Sequence, residues 1–85
     1  DESILVDIDL AILGADAATY NLFEQAVRQE YQKIPIFLYR KKRAAVLRRF
    51  IERPFIYQNE PFKSDYEQQA RVNLANAISN LTGIA

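Results

Sequence analysis

The 85-residue chain has no cysteine, no histidine and no methionine. Without cysteine there can be no disulfide, no thiolate nucleophile and no cysteine-ligated zinc. Without histidine the commonest general base and the commonest transition-metal ligand are both missing, which leaves carboxylates, tyrosines, lysines and hydroxyls for any chemistry. There is no glycine-rich phosphate loop and no Ser-His-Asp set. No apolar run reaches 18 residues, and no charged-then-apolar start resembles a signal peptide, so no membrane partner is expected and a cytoplasmic home is. Methionine is absent even at position 1, from which we expect the native chain to start upstream, this sequence being the C-terminal part of a larger protein.

What is present points to helices. Only two glycines and three prolines occur, against 49% hydrophobic and 26% charged residues, a composition typical of globular helical chains and far from disordered ones. The length allows one small core, so residues 1–85 are read as a single helical unit. Net charge is zero but unevenly spread. Residues 1–30 carry seven acids against Arg28, and residues 37–53 carry seven cations against Glu52. That asymmetry favours docking of the two regions, or of domains, over a general role with nucleic acid.

Four helices are expected, at about 3–13, 17–33, 36–53 and 64–81. The first is apolar on every side, from Ile4 to Leu13, with Gly14 in the place of a C-cap. A helix apolar all round is expected to be buried all round. Asp16 can cap the second, whose stripe is Tyr20, Phe23, Val27 and Tyr31. Pro35 suits the first turn of the third, which carries Ile36, Tyr39, Leu47, Phe50 and Ile51 and ends at Pro54. A connection with the aromatic anchors Phe55, Tyr57 and Phe62 leads to Ser64 and Glu67, which read as a capping box opening the fourth. That helix carries Tyr66, Ala70, Leu74, Ala77, Ile78 and Leu81 and stops at Gly83. Packed on one core, these make an all-α, four-helix arrangement.

Asp7 and Asp9 stand out, because an ionised carboxylate in an apolar helix costs several kcal/mol, on the order of a lost ion pair, unless it is compensated. At about 100° per residue they point in directions some 200° apart, so they do not serve one site together. One is open to a metal or substrate, the other to an arginine or a backbone amide. Pairing of both with arginines for purely structural ends is the rival reading. The run Arg40, Lys41, Lys42 and Arg43, with Arg48 and Arg49, is either a solvated face with one or two bridging arginines or a phosphate contact. The five tyrosines read as packers with a wet hydroxyl. Asn73, Asn76 and Asn80 form a stripe able to bond a neighbouring element.

The order of particular residues also resembles a known family. The string Asp7-Ile8-Asp9-Leu10-Ala11-Ile12-Leu13-Gly14-Ala15, then Tyr20, Arg28-Gln29-Glu30-Tyr31, Tyr39, Arg43, Val46-Leu47, Phe50, Glu67, Ala70-Arg71 and Asn73-Leu74 is similar to the C-terminal part of predicted HD-superfamily metal-dependent phosphohydrolases. The likeness runs over nearly the whole chain, with Lys42 standing where a glycine is expected. It implies a C-terminal portion of a larger HD-like helical domain. It also implies metal-assisted hydrolysis of a phosphoester, at a site built from an upstream histidine, an upstream His-Asp pair and a late aspartate. Only the aspartate can lie here: Asp9 is the first choice and Asp7 the second. Arg28, Arg43 and Arg71 are the implied phosphate contacts. The implied cofactor is a divalent metal such as manganese or magnesium in the parent protein, with none expected for this chain alone. The implied partners are the N-terminal HD portion, or a second copy, and a phosphorylated small molecule or nucleotide. The rival function is a non-enzymatic helical interaction or oligomerisation module.

Overall fold

Local chemistry starts and stops the helices. The computed structural model describes residues 2–83 and contains α1 (Glu2–Leu10), a 3-10 turn (Ala11–Gly14), α2 (Ala17–Glu30), α3 (Ile36–Ile51) and α4 (Phe62–Thr82). No strand occurs among the described residues, and the fold is all-α. None of the helices is long and apolar enough to cross a membrane.

Asp16 caps α2 as expected, accepting from the Thr19 N–H at 3.2 Å and from its hydroxyl at 2.7 Å. α2 ends three residues before the expected position. There the Arg28 guanidinium donates to the carbonyls of Tyr31 and Ile34 at 3.2 and 3.0 Å, holding the chain in a turn before Pro35. Pro35 is the N-cap of α3 rather than part of its first turn. Lys42 lies inside α3, so no turn forms where the family pattern has its glycine. At the far end, Gly83 adopts φ 73° and closes α4 in the left-handed region that glycine enters without strain.

α4 is the central element, packing against α3 on one side and the 3-10 turn on the other. The core consists of Leu13, Tyr20, Leu47, Ile56, Tyr57, Ala70, Leu74 and Ala77, so every helix but α1 supplies an apolar side chain to it. Ile56 and Tyr57, not Phe55, are the buried residues of the connection. The shape is elongated, 38 × 25 × 22 Å. Its radius of gyration is 13.1 Å, against about 12 Å for a compact chain of this length.

α1 reverses its expected burial. Ile4, Leu5, Val6 and Ile8 are 42, 62, 44 and 53% exposed, and the one buried residue of the helix is Asp7. The apolar run is therefore not sunk in the core. Leu10, the last residue of α1, and Ile12 pack against the core, and Leu13 enters it from the tighter 3-10 turn.

Gly14 also differs from expectation. Its φ is not positive, so it is no left-handed cap; it is a point of close approach between the 3-10 turn and α4. A Cβ there would lie 2.5 Å from Tyr66 Cβ and 2.8 Å from the Tyr66 carbonyl oxygen. Since backbone cannot step aside as a flexible side chain can, Gly14→Ala is expected to cost about 1–3 kcal/mol as overpacking. In a domain of this size that lowers Tm by at least about 4 °C, measurable by thermal circular dichroism.

Candidate functional site

The 200° between Asp7 and Asp9 separates them as the helical period requires. Asp7 has no exposed surface and Asp9 is exposed. What meets Asp7 is the connection between α3 and α4. The Gln58 N–H donates to both carboxylate oxygens at 3.1 and 3.0 Å, the Asn59 N–H to Oδ2 at 2.7 Å, and the Asn59 side-chain amide to Oδ2 at 3.2 Å. No arginine compensates this carboxylate; amide donors do, with a smaller part from the Lys63 charge. Burial alone would raise the Asp7 carboxyl, but the Gln58 and Asn59 N–H groups, the Asn59 side chain and the Lys63 charge outweigh it and hold it below the ordinary carboxylate value.

Glu67 does the same for the preceding pair of amides. Its carboxylate accepts from the Ile56 N–H at 3.1 and 2.9 Å and from the Tyr57 N–H at 3.1 Å. The expected capping box is therefore absent. α4 begins at Phe62, two residues before Ser64, and has no side-chain cap. The Ser64 hydroxyl donates to Glu60 instead. Two carboxylates from two helices thus take up four successive amides, 56 to 59.

Arg71 completes the clasp. Its Nε donates to Glu67 at 2.9 Å, and its two Nη atoms donate to the carbonyls of Ile51, Arg53 and Pro54 at 2.8 to 3.0 Å. The Tyr57 hydroxyl reaches the Leu10 carbonyl at 2.8 Å, and burial followed by the Glu67 charge pushes it up to about 12. A connection that would otherwise leave buried backbone unpaired is satisfied by side chains. No buried side-chain nitrogen or oxygen among the described residues lacks a partner.

The other implied phosphate contacts are likewise engaged. Arg43 makes a two-pronged pair with Glu24 at 3.0 and 2.8 Å, and Glu24 also accepts from the Tyr20 hydroxyl. Burial works against the Arg43 charge, but Glu24 more than offsets it and holds the guanidinium above its usual value. Burial, then Glu24, pushes the Tyr20 hydroxyl up. This pair realises the expected attraction between the acidic first third and the basic third helix. Arg28, besides its two carbonyls, stacks 4.9 Å from the centre of the Tyr39 ring.

Arg28, Arg43 and Arg71 are therefore structural ties, the first two near Tyr39 and the third on the connection before α4. Asn73 is another tie, donating to the carbonyls of Leu13 and Ala15 at 2.9 and 2.7 Å. The cations without an ion pair among the described residues include Arg40, Lys41, Lys42, Arg48 and Arg49, all on α3.

As for a metal, Asp7 has its oxygens filled by N–H donors, and no group of three His, Cys, Asp or Glu residues able to hold an ion occurs among the described residues. Asp9 alone is open, and one carboxylate does not make a site. The described residues by themselves do not fit a resident metal. No family model matches the chain, no curated protein matches its sequence and no solved structure matches its fold.

Proposed function

We propose that the chain works as the C-terminal helical portion of an HD-type metal-dependent phosphohydrolase. In this reading it offers Asp9 as one ligand to a divalent metal whose other ligands come from polypeptide outside these 85 residues. One observation carries it beyond the resemblance: Asp9 is exposed one helical turn from Leu5 and Val6, themselves exposed. An exposed apolar patch of this kind is a surface to be covered. Once covered, a carboxylate in its midst loses its water and needs a partner in exchange, and a divalent ion is one strong enough to keep it ionised. The clasp around residues 51–59 would then hold α1 at a fixed angle for that docking.

Turnover of a chromogenic phosphomonoester with manganese tests the reading, comparing this 85-residue chain with the full encoded polypeptide. Metal-dependent turnover is expected from the full polypeptide and none from the 85 residues. Turnover by the 85 residues alone, or a full polypeptide lacking any histidine and His-Asp pair ahead of Asp1, would overturn it. The same exposed face of α1 favours a second reading, a helical interaction module. A full polypeptide that self-associates in sedimentation and takes up no manganese would be the mark of that module.

A further inference from the structure

Among the arginines not fixed by carbonyls or carboxylates, Arg40 faces a concavity. Arg40 makes no hydrogen bond and no ion pair among the described residues, and its side chain lines a cleft of about 340 Å³ between α2, α3 and the C-terminal part of α4. That volume falls at the lower end of the range for small-molecule sites. Asn21 and Gln25 reach it from α2, one helical turn apart, and Asn80 reaches it from α4. All three residues are exposed and their side-chain amides make no hydrogen bond among the described residues. Four uncommitted polar groups from three helices therefore converge on one concavity, with Ile36, Ala77 and Leu81 as its apolar lining.

The charge in the cleft is positive. Glu24 is the one acid lining it, and its oxygens are occupied by Arg43 and Tyr20. Arg28 adds a second cation to the wall. We propose that this cleft binds a small organic anion, its phosphate or carboxylate group on the Arg40 fork, its polar substituents on Asn21, Gln25 and Asn80, and its apolar body on Ile36 and Leu81. A guanidinium fork matches either anion in the same two-pronged way. The amides both donate and accept, so they suit hydroxyl or amide substituents. No residue of α1 lines the cleft, so the site does not depend on the Asp9 reading.

Titration of the ¹⁵N-labelled chain with phenyl phosphate, benzoate and inorganic phosphate, followed by two-dimensional NMR, tests the proposal. Saturable shifts are expected at the amides of Asn21, Gln25, Arg40 and Asn80, side-chain signals included, with phenyl phosphate or benzoate binding more tightly than inorganic phosphate. Whichever organic anion binds more tightly identifies the headgroup class, and either supports the site. Arg40→Gln is expected to weaken binding by at least about tenfold, a change of about 1.4 kcal/mol. Arg49→Gln removes the same charge from α3 outside the cleft and is expected to leave binding within twofold. Equal weakening by both variants would reveal diffuse attraction to a basic helix and overturn the proposal. So would unsaturable shifts, or none, with both organic anions.

Discussion

Asp7→Ala is expected to destabilise the domain by about 2–3 kcal/mol, because a buried N–H left without a partner costs roughly 1–3 kcal/mol, and Asn59 is half-buried while Gln58 is exposed. Two backbone amides, those of Gln58 and Asn59, would lose their acceptor at once. Set against a total stability of about 4–13 kcal/mol for 85 residues, that is a large fraction. Asp7→Asn is expected to lose nearly as much, since its side-chain NH₂ would present a donor where donors already converge. Asp9→Ala, at an exposed position, should stay within about 0.5 kcal/mol of the parent. Urea unfolding at neutral pH measures all three. Equal midpoints for Asp7→Ala and Asp9→Ala would remove the clasp as an account of the connection.

The pH dependence follows from the direction of the Asp7 shift. Its folded value lies below its unfolded one, so its contribution is present above the ordinary aspartate value near 4 and is lost as pH falls through the folded value. The stability gap between parent and Asp7→Ala should therefore be constant near neutrality and narrow below about pH 4.

The same residue shows where sequence reading works and where it stops. The helical class, the Asp16 cap, the Gly83 stop and the division of Asp7 from Asp9 were all legible, because each rests on chemistry within one or two helical turns. Which aspartate would be buried was not. Asp7 finds its partners 51 and 52 positions away, and nothing local marks Gln58 and Asn59 as donors. Ser64 and Glu67 have the spacing of a capping box, yet Glu67 gains more from two buried amides and Arg71 than it would from an exposed helix start. Gly14 was read as a conformational residue when its value is the absence of a side chain against Tyr66. The apolar sequence of α1 predicted burial from hydrophobicity alone, but in an 85-residue chain there is too little core to surround it.

The arginines make the same point for the candidate sites. Arg28, Arg43 and Arg71 drew notice because they belong to a pattern, and each is fixed in place by oxygens of its own chain. Arg40 drew none beyond its membership of a basic run, because being uncommitted is a property of surroundings that a string of letters does not display. Asn21, Gln25 and Asn80 become neighbours of Arg40 only through the packing of three helices.

Asp9→Asn in the full polypeptide is the sharpest test of the proposed function, since it removes the charge of the proposed ligand while leaving the fold alone. Groups that merely hydrogen-bond a metal ligand already account for about 10–100-fold in affinity or activity, so loss of a direct ligand is expected to lower manganese-dependent turnover by at least about a hundredfold. A merely structural effect would show as lower stability without metal, and the exposure of Asp9 predicts none. Metal bound to the folded state alone raises Tm with its concentration. The parent should show that rise and Asp9→Asn should lose most of it, while their metal-free melting temperatures coincide. Asp7→Asn reverses the pattern, with a lower metal-free Tm from the loosened connection and whatever metal response its remaining folded fraction allows. An Asp9→Asn polypeptide that keeps both its turnover and its metal-linked rise would place the metal elsewhere, leaving the apolar face of α1 as a contact surface between proteins.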